Sequence, residues 1–133
     1  MISESLAHMD HRDDPRKEIL EKVEGYIPQV CQWKVLVAIY VRSEKTKGGI
    51  YLTDKLRDED IYQGKVGLVI GLGPLAFKDD EQRKFHPDSI PKIGDWVLYG
   101  SNEGRAAQVN KQAVRFLDDT SVLAIIPSPN GYL

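Results

Sequence analysis

The sequence predicts an all-β domain, a small irregular barrel preceded by one short helix, and three observations carry that prediction. Apolar residues fall in short runs rich in valine, isoleucine, tyrosine and tryptophan, the side chains that suit a pleated, half-buried surface. Polar turn residues separate these runs at short intervals, the pattern of small barrels. One-face helical spacing is confined to a stretch ahead of the first run, so no helical layer is expected to cover a parallel sheet.

The elements follow in order. Residues 1–12 are polar and weakly patterned and are expected to be disordered. Asp14 and Pro15 then read as an N-cap followed by proline at the first helical position. Ile19, Leu20 and Val23 share one helical face, Glu18 and Lys22 form a supportive i,i+4 pair, and Gly25 is a natural stop. The helix is expected over about residues 14–24, packed on the barrel or on a neighbouring subunit.

After Pro28 the period changes. Gln32-Trp33-Lys34-Val35-Leu36-Val37-Ala38-Ile39-Tyr40-Val41 reads as a strand buried on much of both faces. A second run over residues 64–74 is punctuated by glycines, which predict bends or bulges at barrel corners. A turn at residues 92–95 feeds a third strand ending at Tyr99, and short strands follow at residues 108–109, 113–117 and 122–126, with turns at Asn110-Lys111 and Asp118-Asp119. The domain division expected is therefore an N-terminal extension (1–32), a barrel (33–127) and a polar tail (128–133). Within the barrel, residues 75–91 read as a polar insertion with little core-forming material.

Composition excludes several classes of function. Net charge is −2 with 29% charged residues, which leaves no basic footprint for nucleic acid or for a membrane surface. No apolar run approaches a membrane span of about 20 residues, and residues 1–13 are too polar for a secretory signal. The expected setting is cytoplasmic. Cys31 is the one cysteine; it excludes an internal disulfide and reads as a small buried or half-buried side chain with no histidine partner to activate it. His8 and His11 lie three apart in a polar stretch without further ligands, and His86 reads as solvated. Asp58, Glu59 and Asp60 lack the alternating spacing of a calcium loop. Gly71 and Gly73 are not followed by the third glycine or the helix that a nucleotide turn needs. No metal site, cofactor site or catalytic constellation is expected, and Trp33 and Trp96 read as core or interface anchors.

The informative stretch is Lys47-Gly48-Gly49-Ile50-Tyr51-Leu52-Thr53. An apolar triplet follows a glycine pair and is flanked by charged residues out to Asp60. This is the pattern of a solvated loop carrying a docking patch for a groove on another protein.

In order, the Val35–Ile39 strand, the Gly-Gly-Ile-Tyr-Leu loop, Gln63-Gly64-Lys65-Val66, Val69-Ile70-Gly71-Leu72-Gly73, Ile93-Gly94-Asp95-Trp96-Val97-Leu98-Tyr99 and Ser121-Val122-Leu123-Ala124-Ile125-Ile126 resemble the GroES-type co-chaperonins. The resemblance covers residues 34–126, roughly two-thirds of the chain. It implies a GroES-like barrel assembled as a heptameric ring that caps a large ATP-dependent chaperonin and encloses unfolded client proteins. ATP would be bound by the partner. The implied chaperonin-binding residues are Gly48, Gly49, Ile50, Tyr51 and Leu52, on a mobile loop over residues 43–61. The implied subunit interface pairs the first and last strands of neighbours, through Val35, Leu36, Val37, Leu123, Ala124, Ile125 and Ile126. The chain departs from the family in its tyrosine at the middle docking position, in residues 75–91 where the family has a roof hairpin, and in the N-terminal helix; such additions fit a phage-encoded member acting in a host cytoplasm. Two other readings stay open at this stage. One is a small β-barrel assembly or decoration protein that binds no chaperonin. The other is a fragment like the barrel domain of zinc-type medium-chain dehydrogenases, which the single cysteine and the chain length oppose.

Overall fold

The computed structural model describes residues 15–41, 65–100 and 103–132. The expectations for residues 1–12, for the loop at 43–61 with its Gly48–Leu52 docking residues, and for His8, His11 and Asp58–Asp60 lie outside the described residues.

All six expected strands are present: β1 (Lys34–Ile39), β2 (Val66–Leu72), β3 (Trp96–Tyr99), β4 (Arg105–Val109), β5 (Gln112–Asp118) and β6 (Val122–Ile126), preceded by helix α1 (Arg16–Val23). They form one antiparallel sheet in the order β4-β5-β1-β2-β3-β6. β1 lies in the middle of that order, and Val35 to Ile39 are no more than 1% exposed. That burial explains why the run is apolar without alternation.

Two apolar clusters account for the two faces. Leu36, Ala38, Leu68, Ile70, Trp96 and Val114 point to one side, where Ile19 and Val23 of α1 complete the core. Val35, Val37, Val69, Val97 and Leu117 point to the other, where Ala76 and Phe77 are buried against them and Phe85 and Ile90 pack beside them. This corrects the expectation for residues 75–91. The insertion is polar by count, yet Ala76, Phe77, Phe85 and Ile90 are spaced so that they reach the sheet, while Leu75 stays exposed.

Two bulges re-aim the strands. The β1–β2 register slips at Leu36/Val37, leaving Ile70 as the extra residue; Ile70 joins the first cluster while Leu72 packs against the second. The β3–β6 register slips at Leu98/Tyr99, leaving Leu123 extra, so that Val122 and Ile126 serve opposite clusters. One added residue reverses the face of everything beyond it. Gly73 marks the tightest approach: a Cβ there would sit 2.2 Å from the Gln32 carbonyl oxygen.

Helix α1 starts at Arg16 with Pro15 as its cap, one position later than expected, and without a capping side chain. Gly25, at φ +82°, terminates it as expected. The Lys22 ammonium reaches the Lys111 carbonyl at 3.4 Å rather than Glu18. Asn110 Nδ2 donates to the Lys22 carbonyl at 2.7 Å, and Arg16 reaches the Pro127 carbonyl just past β6. One eight-residue helix, about 12 Å long, thus ties both margins of the sheet. In a flat sheet those margins would lie about 24 Å apart, so the shared tie goes with a sheet curled into a small barrel. Two further expectations are corrected. Cys31 is exposed, because it lies in the turn entering β1. In the tail, Ser128 is buried although β6 ends at Ile126 as expected.

The entry to β1 is fastened by Asp118. Its carboxylate accepts from the Lys34 ammonium and, at 3.1 Å, from Trp33 Nε1. The Lys34 hydrogen bond is the main cause that holds its pKa below the usual carboxylate value. A group with a depressed folded pKa stabilises the fold above its unfolded pKa, and that contribution is lost as pH falls through the folded value. Asp118→Asn is therefore expected to lower the urea midpoint near pH 6 slightly and to converge with the wild type near pH 3, with the gap also closing in high salt because both partners are partly exposed. A second outcome concerns the β4–β5 turn, where Asn110 and Lys111 have φ of +46° and +67°, the geometry of a two-residue hairpin that favours Asn-Gly. Lys111→Gly is expected to stabilise the protein by about 0.5–1 kcal/mol, the left-handed cost of a side chain less the entropy of glycine. A thermal melt raised by roughly 2–4 °C checks it.

Candidate functional site

Edge strands and exposed apolar side chains are the features that can carry assembly, and the strand order decides where they are. Among the described residues β6 pairs with β3 alone, which leaves its other edge open there. Leu123, pushed outward by the bulge, is 68% exposed and Ile125 is 40% exposed. Beside them lies a groove of about 250 Å³ shared with Asp88 and Ser89. Ile126, in contrast, is buried in the core.

The structure corrects the expectation for Val35, Leu36 and Val37. β1 pairs with β2 on one side and β5 on the other, so both of its edges are used within the subunit. The side chains of Val35, Leu36 and Val37 are fully buried and reach no surface. The edge role was implied by the family resemblance, whereas the strand's place in the sheet is set by its pairings with β2 and β5, far along the chain. Tyr26 and Ile27, in the segment ahead of β1, are further exposed apolar side chains at 60% and 40% that the sequence analysis did not single out. Two large apolar side chains after a helix-ending glycine were the available signal.

The open β6 edge ends near a buried tyrosine. Tyr99, opposite Val122, is 1% exposed, and its hydroxyl has no hydrogen-bond partner among the described residues. Burial pushes its pKa up to about 12, with the Arg115 charge pulling the other way. It therefore stays neutral and serves packing rather than acid–base chemistry. His86 is exposed, and its Nδ1 accepts from the Asp88 amide at 3.1 Å. Among the described residues no three His, Cys, Asp or Glu side chains gather as a metal-binding group, and no helix is long and apolar enough to cross a membrane.

The second relevant place is the neck at residues 41 and 65, between which the Gly48–Leu52 stretch is carried. Tyr40 donates its amide to the Val66 carbonyl at 2.9 Å. Gln112 Nε2 donates to the Ile39 carbonyl at 3.3 Å, and the Tyr40 ring stands edge-on to Trp96 at 5.8 Å. The two ends of that segment are thus held side by side on adjacent, paired strands at the centre of the sheet.

A third feature is a groove of about 490 Å³ between residues 28–31 and the start of β4, with Cys31, Lys34, Arg105 and Phe116 among its walls.

Residues 29–126 match the family model described as the chaperonin 10 kDa subunit, Cpn10. Similar curated proteins include the co-chaperonin GroES of Gemmatimonas aurantiaca, 28% identical over 93 residues that cover 70% of this chain and 88% of that protein. The co-chaperonin GroES of Methanosarcina barkeri is 31% identical over 93 residues, with the same coverage. That of Chlorobium luteolum is 30% identical over 93 residues, covering 70% and 90%. The matched span runs from the segment before β1 to the last residue of β6, taking in the whole sheet but not α1. The family model matches well over half of the chain and spans the whole six-stranded sheet, and this chain belongs to the chaperonin 10 kDa subunit family.

Proposed function

We propose that this chain is a co-chaperonin subunit, one of a ring of seven, that caps a large ATP-dependent chaperonin and closes a chamber around unfolded client protein. The observation that carries the reading is the family match across residues 29–126, joined to a docking-type sequence at Gly48, Gly49, Ile50, Tyr51 and Leu52. The subunit is not an enzyme in this reading; ATP is bound and hydrolysed by the partner, and the setting is the cytoplasm.

Energetics favour weak units and firm assembly. In an extended docked form Ile50 and Leu52 lie on one face, and burying each stabilises the complex by about 1.5–3 kcal/mol. Ordering the segment costs about 2–5 kcal/mol. One loop therefore binds weakly, whereas several on one ring act through effective concentration. A partner whose grooves change with nucleotide can then release the whole lid. The paired neck at Tyr40 and Val66 supports this, since it anchors the segment on two adjacent strands inside the sheet.

Closing a ring needs a heterologous contact, two different patches on each subunit. The open β6 edge with Leu123, Ala124 and Ile125 is one; the stretch before β1, with Tyr26 and Ile27 exposed, is the other. Val35–Val37 have no part in it, and Ile126 supports the edge from the core side.

Ile50→Ser/Leu52→Ser is expected to abolish nucleotide-dependent co-sedimentation with a double-ring chaperonin of the same source while leaving the free ring intact. A wild-type ring that binds in no nucleotide state would instead support a structural barrel assembly. Leu123→Glu/Ile125→Glu is expected to give a folded monomer, with an unchanged far-UV spectrum and a monomer mass by light scattering. A ring that survives both charges would remove β6 from the interface.

A further inference from the structure

Residues 74–91 add no rung to the sheet, yet they cover one of its faces. Their hydrogen bonding is mostly internal. Asp80 Oδ1 accepts from the amides of Gln82 and Arg83, Asp79 Oδ1 accepts from Phe85, and Asp80 donates its amide to the Arg83 carbonyl. Beyond the base, where Leu75 donates to the Gln32 carbonyl, the polar ties to the sheet side among the described residues converge on a single oxygen. Phe77 N at 2.9 Å and Arg83 Nη2 both donate to Asp119 Oδ2. The Asp119 side chain is fully buried, in the short turn before β6. The Arg83 guanidinium lies over the Trp33 ring at 5.1 Å and near the Phe85 ring at 5.7 Å. Phe77 is held at φ +60°, a left-handed conformation that a bulky residue adopts at a cost.

We propose that residues 76–90 form a latched strap, with the Arg83–Asp119 pair as its latch, that opens as one unit while the six-stranded sheet stays closed. Opening breaks the two bonds to Asp119 and relaxes Phe77, and the internal bonds travel with the segment. The open form uncovers Val37, Val69 and Val97, an apolar face that the closed protein hides, so the subunit holds a second, concealed hydrophobic surface. This inference rests on the strap's own contacts and not on the lid reading.

Hydrogen exchange of the full chain, followed by mass spectrometry across sub-denaturing urea, tests it. Wild-type amides in 76–90 are expected to exchange faster than those of β1 and β2, with a shallower urea dependence, because the opening exposes less surface than unfolding. Arg83→Met keeps a long unbranched side chain at this position but removes the guanidinium, and with it the charged donor to Asp119 and the cation over the Trp33 ring. It is expected to speed exchange in 76–90 by about tenfold or more while β1 is unchanged, and to raise binding of a hydrophobic dye such as ANS. Strap and β1 accelerating together in the variant would overturn the proposal. If the variant fails to fold, the wild-type series decides: a common urea slope for strap and β1 overturns the latch, and separate slopes support it.

Discussion

The rest of this structure depends on the burial of β1 on both faces. A strand whose residues are apolar in sequence rather than alternating cannot lie in a one-sided antiparallel sheet, because half of its side chains would face water. Val35 and Val37 need a cover on one side, Leu36 and Ala38 on the other. A curled sheet gives part of the first cover, and the chain supplies the remainder from two segments that are not strands. Helix α1 closes one side through Ile19 and Val23. The strap closes the other through Ala76, Phe77 and Phe85.

The two covers are fastened differently. Helix α1 is tied by main-chain carbonyls at both of its ends, and its buried face is aliphatic, so its attachment is spread over several weak contacts. The strap is fastened by a buried ion pair. Such a pair recovers little net stability, because the desolvation of both charges opposes their attraction. Its effect is on geometry: Asp119 accepts from Arg83 and from the Phe77 amide together, and a hydrophobic contact alone would not select that one backbone conformation. Where the helix contributes burial, the strap contributes a defined closed position.

Placing β1 at the centre also decides where the surface is available. With β2 and β5 on either side, the open edges fall to β4 and β6. β4 presents arginine, alanines and glutamine, all exposed, and little apolar area. β6 presents Leu123 and Ile125, and the bulge that exposes Leu123 is the same irregularity that returns Ile126 to the core. An edge strand with outward leucine and isoleucine is a liability for a monomer and an asset for a closed ring. The segment between residues 41 and 65 leaves from the opposite situation, two central strands paired on both sides.

The sequence by itself determined the elements. Six strands, one leading helix, its glycine stop, the polar turn at Asn110-Lys111 and the glycine-marked bulge region of β2 all follow from local periodicity and backbone preference, which act over a few residues. The order of the family motifs, from Val35 to Ile126, was equally legible. What only the tertiary structure decided was which strand is central and which is an edge, and where the insertion goes. The run at Val35–Val37 read as buried on both faces from its residues, and only the family resemblance implied an interface there; which strands cover it is set by pairings distant in the chain. Residues 75–91 read as polar because eight of their side chains are charged or amide-bearing, while their packing rests on Ala76, Phe77, Phe85 and Ile90. Arg83 and Asp119, 36 residues apart, meet through folding alone; sequence pattern reports on near neighbours, whereas strand order and buried ion pairs are settled by contacts between residues distant in the chain.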